Sequence, residues 1–181
     1  TYSFISGRAF DMLGLPPDDE RRRAVVLRNP LGEEYSVMRT QLVGSMLNVL
    51  STNDHRKIPA ARFFELSKVF VPKSMPVTEQ PEERPALCIG LYGEGEDFFT
   101  LKGLVEDILA GFGFSPEYER TSEPYLHPGR QAAALIDGAP LAVFGEVHPD
   151  AAGRFGIDAR AFVAEIRADQ LIAADVPLVL Y

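Results

Sequence analysis

The chain has 181 residues and a formal net charge of -8. Hydrophobic residues make up 46% and charged residues 24%, a globular balance that excludes wholesale disorder and leaves enough apolar side chains for a core. An acidic surface repels phosphate backbones, which argues against nucleic-acid binding by this chain alone, and a single cysteine, Cys88, excludes an internal disulfide.

Taken in chain order, residues 1–5 suit a short strand. Ser6 is placed to cap a short helix through Leu13, which Gly14 stops. A loop with two prolines follows, then the mixed-charge run Asp18-Asp19-Glu20-Arg21-Arg22-Arg23, which reads as a solvated loop. Residues 24–28 form a short β-type run. Asn29-Pro30-Leu31-Gly32 has turn chemistry, because Pro fixes φ and Gly tolerates positive φ. The carboxylates Glu33 and Glu34 come next, and Arg39 stands just ahead of an apolar run. Leu42, Val43, Met46, Leu47, Val49 and Leu50 recur at spacings of three and four, which predicts a helix over 40–51.

Residues 62–71, RFFELSKVFV, carry aromatics on both faces and predict a central strand. A loop rich in Pro and Glu leads to a second core strand over 85–92. The next apolar face, Leu101, Leu104, Val105, Ile108, Leu109 and Phe112, predicts a helix stopped by Gly113. After an extended stretch at 118–120, residues 132–136 and 141–147 flank Asp137-Gly138 and predict a β-hairpin. Pro149 opens a short helix to Phe155. A last strand over 161–166 and a short helix over 168–173 complete the series. Strands and helices do not alternate as βαβ units, so the expected class is α+β, an antiparallel sheet with helices on one face. Both ends, TYSFIS and VPLVLY, read as cuts in a longer polypeptide.

Few residues look equipped for chemistry. Gly93-Glu94-Gly95-Glu96-Asp97 has glycine spacing, but its carboxylates would repel a phosphate. His55, His127 and His148 stand apart, and no HxxxH or CxxC spacing occurs, so no metal ligand is assigned. His127 and His148 precede prolines in LHPGR and EVHPD and read as turn residues whose rings cap backbone groups. Cys88, inside PALCIGLY, reads as a buried small hydrophobe and suits a reducing, cytoplasmic setting. Glu33, Glu34, Glu65 and Glu146 are the acids available for paired-carboxylate work. Glu65 lies between Phe64 and Leu66 and needs a partner, for which Arg39 or Arg62 could serve in a structural ion pair. Arg130 and Lys102 put cations near turns, where they could hold a phosphate or carboxylate.

Several segments, in order, resemble one family, the β subunit of bacterial phenylalanine–tRNA ligase. TYSFIS opens the region, and NPLGEEYSVMRTQLVGSMLNVL is the strongest match. RFFELSKVF, DFFTLKGLVEDIL, YLHPGR, FGEVHPDAAGRFGI and FVAEI follow. The resemblance implies that residues 1–181 are one catalytic-like domain of a longer β subunit, with a fold like that of a class II aminoacyl-tRNA synthetase catalytic domain. It implies a cytoplasmic assembly of two α and two β subunits that charges the phenylalanine tRNA with ATP and magnesium. In it the α subunit carries the active site, tRNA is met through the whole assembly, and this domain binds no cofactor. The family's motif 2 corresponds to 62–67, where Arg62 and Glu65 survive with Phe63 and Phe64 between them. Motif 3 corresponds to 161–167, which has no glycine where a nucleotide would approach the backbone and offers only Arg167 as its arginine. No catalytic residue is therefore assigned. Asn29, Glu33, Glu34, Arg39 and Thr40 are the expected interface residues toward the α subunit. The alternatives are a freestanding adenylating paralogue, which would need an ATP site, and a tRNA-contacting module, which would need a basic face at Arg21–Arg23 with Arg28.

Overall fold

A computed structural model describes residues 1–174; the closing run at 176–181 lies outside the described residues. A two-stranded ribbon of β1 (Phe4–Ile5) and β2 (Val37–Met38) stands beside a six-stranded sheet. The large sheet contains β3 (Ala61–Val71), β4 (Glu82–Tyr92), β5 (Glu117–Glu119), β6 (Leu126–Ile136), β7 (Ala139–Val147) and β8 (Ala161–Ile166). Its order is β3-β4-β8-β7-β6-β5, and every neighbouring pair is antiparallel. The helices are α1 (Ala9–Met12), α2 (Val43–His55), α3 (Phe98–Gly111), α4 (Pro149–Phe155) and α5 (Ala168–Ala173). The chain is thus α+β with an antiparallel sheet flanked by helices.

The helices cover both faces of the sheet, not the one face expected. Strand alternation gives the reason. Cys88 and Tyr92 of β4, with Ala161 and Val163 of β8, face a core shared with Phe10, Leu47 and Leu50. Ile89 and Leu91, with Phe162 and Ala164, face a second core shared with Leu101, Val105, Leu109 and Leu171. The central strands are apolar on both sides, so each face needs its own helical cover. At Gly90 the strand and α2 approach so closely that a β-carbon would lie 2.5 Å from Met46 Cγ.

Strand β3 lies at the sheet edge, which corrects the central placement predicted for it. Its aromatics divide: Phe63 packs against the α2-side core, whereas Phe64 and Leu66 are exposed. Residues 24–28 form no strand, only an isolated bridge between Val26 and Val37. The first helix starts at Ala9 without a side-chain cap, because Ser6 Oγ accepts from the Arg8 amide outside the helix. Helix α2 starts three residues later than predicted. Thr40 Oγ1 donates to the Arg21 carbonyl, and the Leu42 and Val43 amides are satisfied by a strand carboxylate. It runs on to His55 and stops before Lys57, whose φ is 59°. The β6–β7 hairpin closes at Asp137-Gly138, with φ angles of 50° and 75°, as a tight turn demands. Strand β6 reaches back to Leu126, so His127 and Arg130 lie in an irregular part of a strand rather than in a turn.

The tight α2–β4 approach and the open surface around α3 give a paired expectation. Gly90→Val should destabilise the fold by about 2 kcal/mol through overpacking against Met46. Gly103→Ala, at a helical position with nothing within 4 Å of the added carbon, should stabilise it by about 0.5–1 kcal/mol. Thermal and denaturant unfolding of the two variants measures both.

Candidate functional site

The segment from Asn29 to Val43 divides into an exposed loop and a buried anchor. Arg39 is fully buried and spends its guanidinium inside the chain. Nη1 donates to Glu65 Oε1 at 2.9 Å and to Thr1 Oγ1 at 2.6 Å. Nη2 donates to Ser67 Oγ at 2.6 Å, and Nε to the Lys68 carbonyl at 3.0 Å. The Arg39 backbone is engaged too, donating to Ser3 O at 3.0 Å and accepting from the Phe70 amide at 2.9 Å. A buried cation is tolerated only when so fully partnered. Burial alone would raise the Glu65 pKa. Hydrogen bonds from Thr1 and Arg39, with the Arg39 charge, outweigh it and hold the carboxyl below its ordinary range.

Three residues further on, Glu165 of β8 receives the start of α2. Its Oε2 accepts from the Leu42 amide at 2.8 Å and from the Val43 amide at 3.0 Å. This supplies the acceptor that a helix N-terminus lacks, and the carboxylate sits at the positive end of the helix dipole. Register places Glu65, Cys88 and Glu165 side by side on β3, β4 and β8. One rung of the sheet thus holds the whole approach to α2. Burial pushes Glu165 up to about 7 despite the two amide bonds. It also raises the Cys88 thiol, as suits a residue without a nucleophilic role.

The other half of the segment faces outward. Asn29, Glu33 and Glu34 are exposed, and Leu31 at the loop tip is 99% exposed. Glu33 pairs with Arg8 at 3.2 Å, and Tyr35 meets Tyr2 edge-on at 5.9 Å between ring centres. Beside this loop a groove of about 550 Å³ runs between α2 and the β1–α1 segment, lined in part by Tyr2, Phe4, Met12, Tyr35 and Val49. Arg39 and Thr40 are buried, so among the expected interface residues only Asn29, Glu33 and Glu34 are available to a partner in this form of the chain.

The other candidate residues named from the sequence are paired within the fold. Arg62 bonds Glu96 at 2.6 Å, so the partner of Glu65 is Arg39. Glu146 is 5% exposed and receives Arg130 at 2.6 and 2.8 Å, together with Arg160. Burial would raise its pKa, but the hydrogen bonds and charges of the two arginines bring it down to about 2. The rings of His127 and His148 stack at 6.4 Å. Their Nδ1 atoms accept from the Gly129 and Asp150 amides, each at 3.1 Å, so both rings do cap backbone groups. Lys102 pairs with Glu106 and lies 4.2 Å over the Tyr118 ring. The basic run is neutralised in part: Arg21 bonds Asp19 and Glu123, each at 2.7 Å, and Arg22 bonds Asp11 at 2.6 Å. Among the described residues no group of three or more His, Cys, Asp or Glu could hold a metal ion, and no helix is long and apolar enough to cross a membrane.

The model of the phenylalanyl tRNA synthetase beta chain CLM domain matches residues 1–168. The chain belongs to this family. It is 40% identical to the phenylalanine–tRNA ligase beta subunit of Clostridium tetani, over 94% of the chain and 22% of that protein. It is 42% identical to the Clostridium acetobutylicum subunit over the same shares, and 38% identical to the Symbiobacterium thermophilum subunit over 100% of the chain and 21% of that protein. The chain therefore spans about a fifth of the length of these curated relatives. The segments that carried the resemblance are the same ones that build the anchor: TYSFIS supplies Ser3, the NPLGEEYSVMRT run supplies Arg39, RFFELSKVF supplies Glu65 and Ser67, and FVAEI supplies Glu165.

Two residues of this architecture were not singled out from the sequence. Glu165 carries the same signal as Glu65, an acid between apolar neighbours on a strand, and could have been found by it. Arg160, the second cation on Glu146, stands outside any pattern. Replacing Arg39 with Met should cost about 3 kcal/mol, because Glu65 would then be left without its cation; the Arg39→Met, Glu65→Met double variant should recover part of this in a double-mutant cycle. Glu146 has a folded-state pKa below its unfolded value, so its contribution is present above about pH 4.5 and is lost as pH falls toward 2. Glu146→Gln should flatten the acid limb of the stability–pH curve in that window, as read by unfolding midpoints.

Proposed function

We propose that this chain is a non-catalytic domain of a phenylalanine–tRNA ligase β subunit, one catalytic-like unit of a longer polypeptide. In this reading it supports ATP-dependent aminoacylation of the phenylalanine tRNA by an α subunit, in a cytoplasmic assembly of two α and two β subunits. ATP and magnesium are used by the partner, tRNA is bound by the whole assembly, and the fold is of the class II synthetase type. The observation that carries the non-catalytic reading is the state of the arginines. Arg62 and Arg167, the residues at the motif 2 and motif 3 positions, are turned to Glu96 at 2.6 Å and Asp169 at 3.0 Å. Cations committed to carboxylates of their own chain are poorly placed to hold a triphosphate. The anchored segment supports the docking role: a buried arginine and Glu165 fix the start of α2, and the exposed loop with Leu31 stands beside an apolar groove. We assign the α-subunit contact to Asn29, Leu31, Glu33 and Glu34 with that groove.

Two measurements test this in the assembled enzyme. Arg62→Ala and Arg167→Ala should leave phenylalanine-dependent ATP–pyrophosphate exchange within about twofold, whereas arginines acting on the reacting phosphates would cost on the order of a hundredfold. Leu31→Glu should weaken co-purification of the α subunit while leaving the unfolding temperature of this chain unchanged. Retention of full α-subunit binding in Leu31→Glu would remove the loop from the interface.

A further inference from the structure

A second cavity, of about 260 Å³, opens on the α2 side of the sheet at the end where β3, β4, β7 and β8 meet the start of α2. Its walls are apolar: Val69, Pro85, Ala86 and Val143 contribute to them. Its polar end is built from Gln41, Glu165, Tyr125, Arg21 and Glu123. The charges there are unequally satisfied. Arg21 is held by Asp19 and Glu123, and at the mouth Arg84 pairs with Glu82 and Arg167 with Asp169. Glu165 uses only Oε2 for the amides of Leu42 and Val43, and Oε1 has no hydrogen bond among the described residues. Gln41 is 5% exposed, and its amide nitrogen is buried without a partner among the described residues. A buried amide donor left unpaired is costly and asks for a ligand or water to complete it.

We propose that this cavity is a binding site for a small primary ammonium compound with a short apolar body. The ammonium group would bond Glu165 Oε1, the apolar body would lie along Val69, Ala86 and Val143, and a carbonyl or hydroxyl oxygen, where the compound has one, would accept from the Gln41 amide. The cavity holds several times the roughly 30 Å³ that one water occupies in the liquid, enough for a molecule of a few heavy atoms. Selectivity for a cation follows from charge: among the described residues, the one carboxylate there without an ion-pair partner is Glu165, while Arg21, Arg84 and Arg167 are committed. No step of the proposed role in aminoacylation uses this cavity.

The surroundings also set a pH dependence. Glu165 is flanked by Cys88 on β4 and is influenced by Arg21, Arg39 and Tyr125; Glu123 sits behind Arg21. Burial raises the Glu165 pKa to about 7, so its carboxyl takes up a proton as the pH falls through this range. An alkylammonium stays charged through this range and would bind the ionised form, so affinity should rise about tenfold between pH 6 and pH 8.

The test is titration of the intact protein with n-butylammonium chloride, followed by NMR or calorimetry, with n-butanol as the neutral control. The expected result is saturable binding of the amine, at least tenfold weaker binding of the alcohol, and the stated rise with pH. Glu165→Gln keeps an oxygen for the two α2 amides and should weaken amine binding about tenfold or more. Val143→Phe fills the cavity from the strand position opposite Glu165 and should abolish binding, with circular dichroism and the unfolding temperature showing that each variant is folded. Absence of saturable binding in the wild type, equal binding of the alcohol, or unchanged affinity in folded Val143→Phe would overturn the proposal.

Discussion

The fold depends on one buried cation. Arg39 is enclosed where the segment ahead of α2 crosses β3, and each of its three guanidinium nitrogens donates to a group of the same chain. An arginine carried out of water without such partners would cost several kcal/mol. The site is therefore specific: only one register of β3 brings the Glu65 carboxylate, the Ser67 hydroxyl and the Lys68 carbonyl to it together. Three and four residues further on, at Leu42 and Val43, the Glu165 carboxylate fixes the first turn of α2 by its backbone. Between these two fixed points the chain has little freedom, and the exposed loop ahead of them is held out from the body of the domain.

This arrangement explains why polar side chains sit in a sheet that is otherwise apolar on both faces. Glu65 and Glu165 lie on the rung that faces α2, with Cys88 between them. Each carboxylate is used to position backbone or a cation, and neither has a neighbour suited to moving a proton to a substrate. The same economy appears at Glu146, where Arg130 and Arg160 converge, and at the histidines, whose rings cap amides. Charge in this domain is spent on geometry, and the supporting role proposed above rests on that.

Much of this was legible in the residues. Helical spacing located α2 and α3, Asp137-Gly138 located the hairpin turn, and Glu65 between two apolar residues announced an ion pair that Arg39 supplies. What escaped has physical reasons. The edge position of β3 was masked because Phe64 and Leu66 imitate a strand buried on both sides, yet both are exposed. The two-sided helical cover could not be read from local pattern, since it follows from which strands become neighbours. The start of α2 was misplaced because its cap comes from Glu165, more than a hundred residues away, and not from a nearby side chain. Arg39 looked like a surface contact in a charged loop, but the sheet encloses it.

The central claim, that Arg39 and Glu165 lock the start of α2 to the sheet, is tested most directly by native-state hydrogen exchange at the amides of Leu42, Val43 and Phe70. Each donates to a group of this anchor. The account predicts that all three exchange only with global unfolding, as slowly as the amides of central strand β8. Exchange at Leu42 and Val43 orders of magnitude faster than in β8, under conditions where the fold is intact, would contradict it.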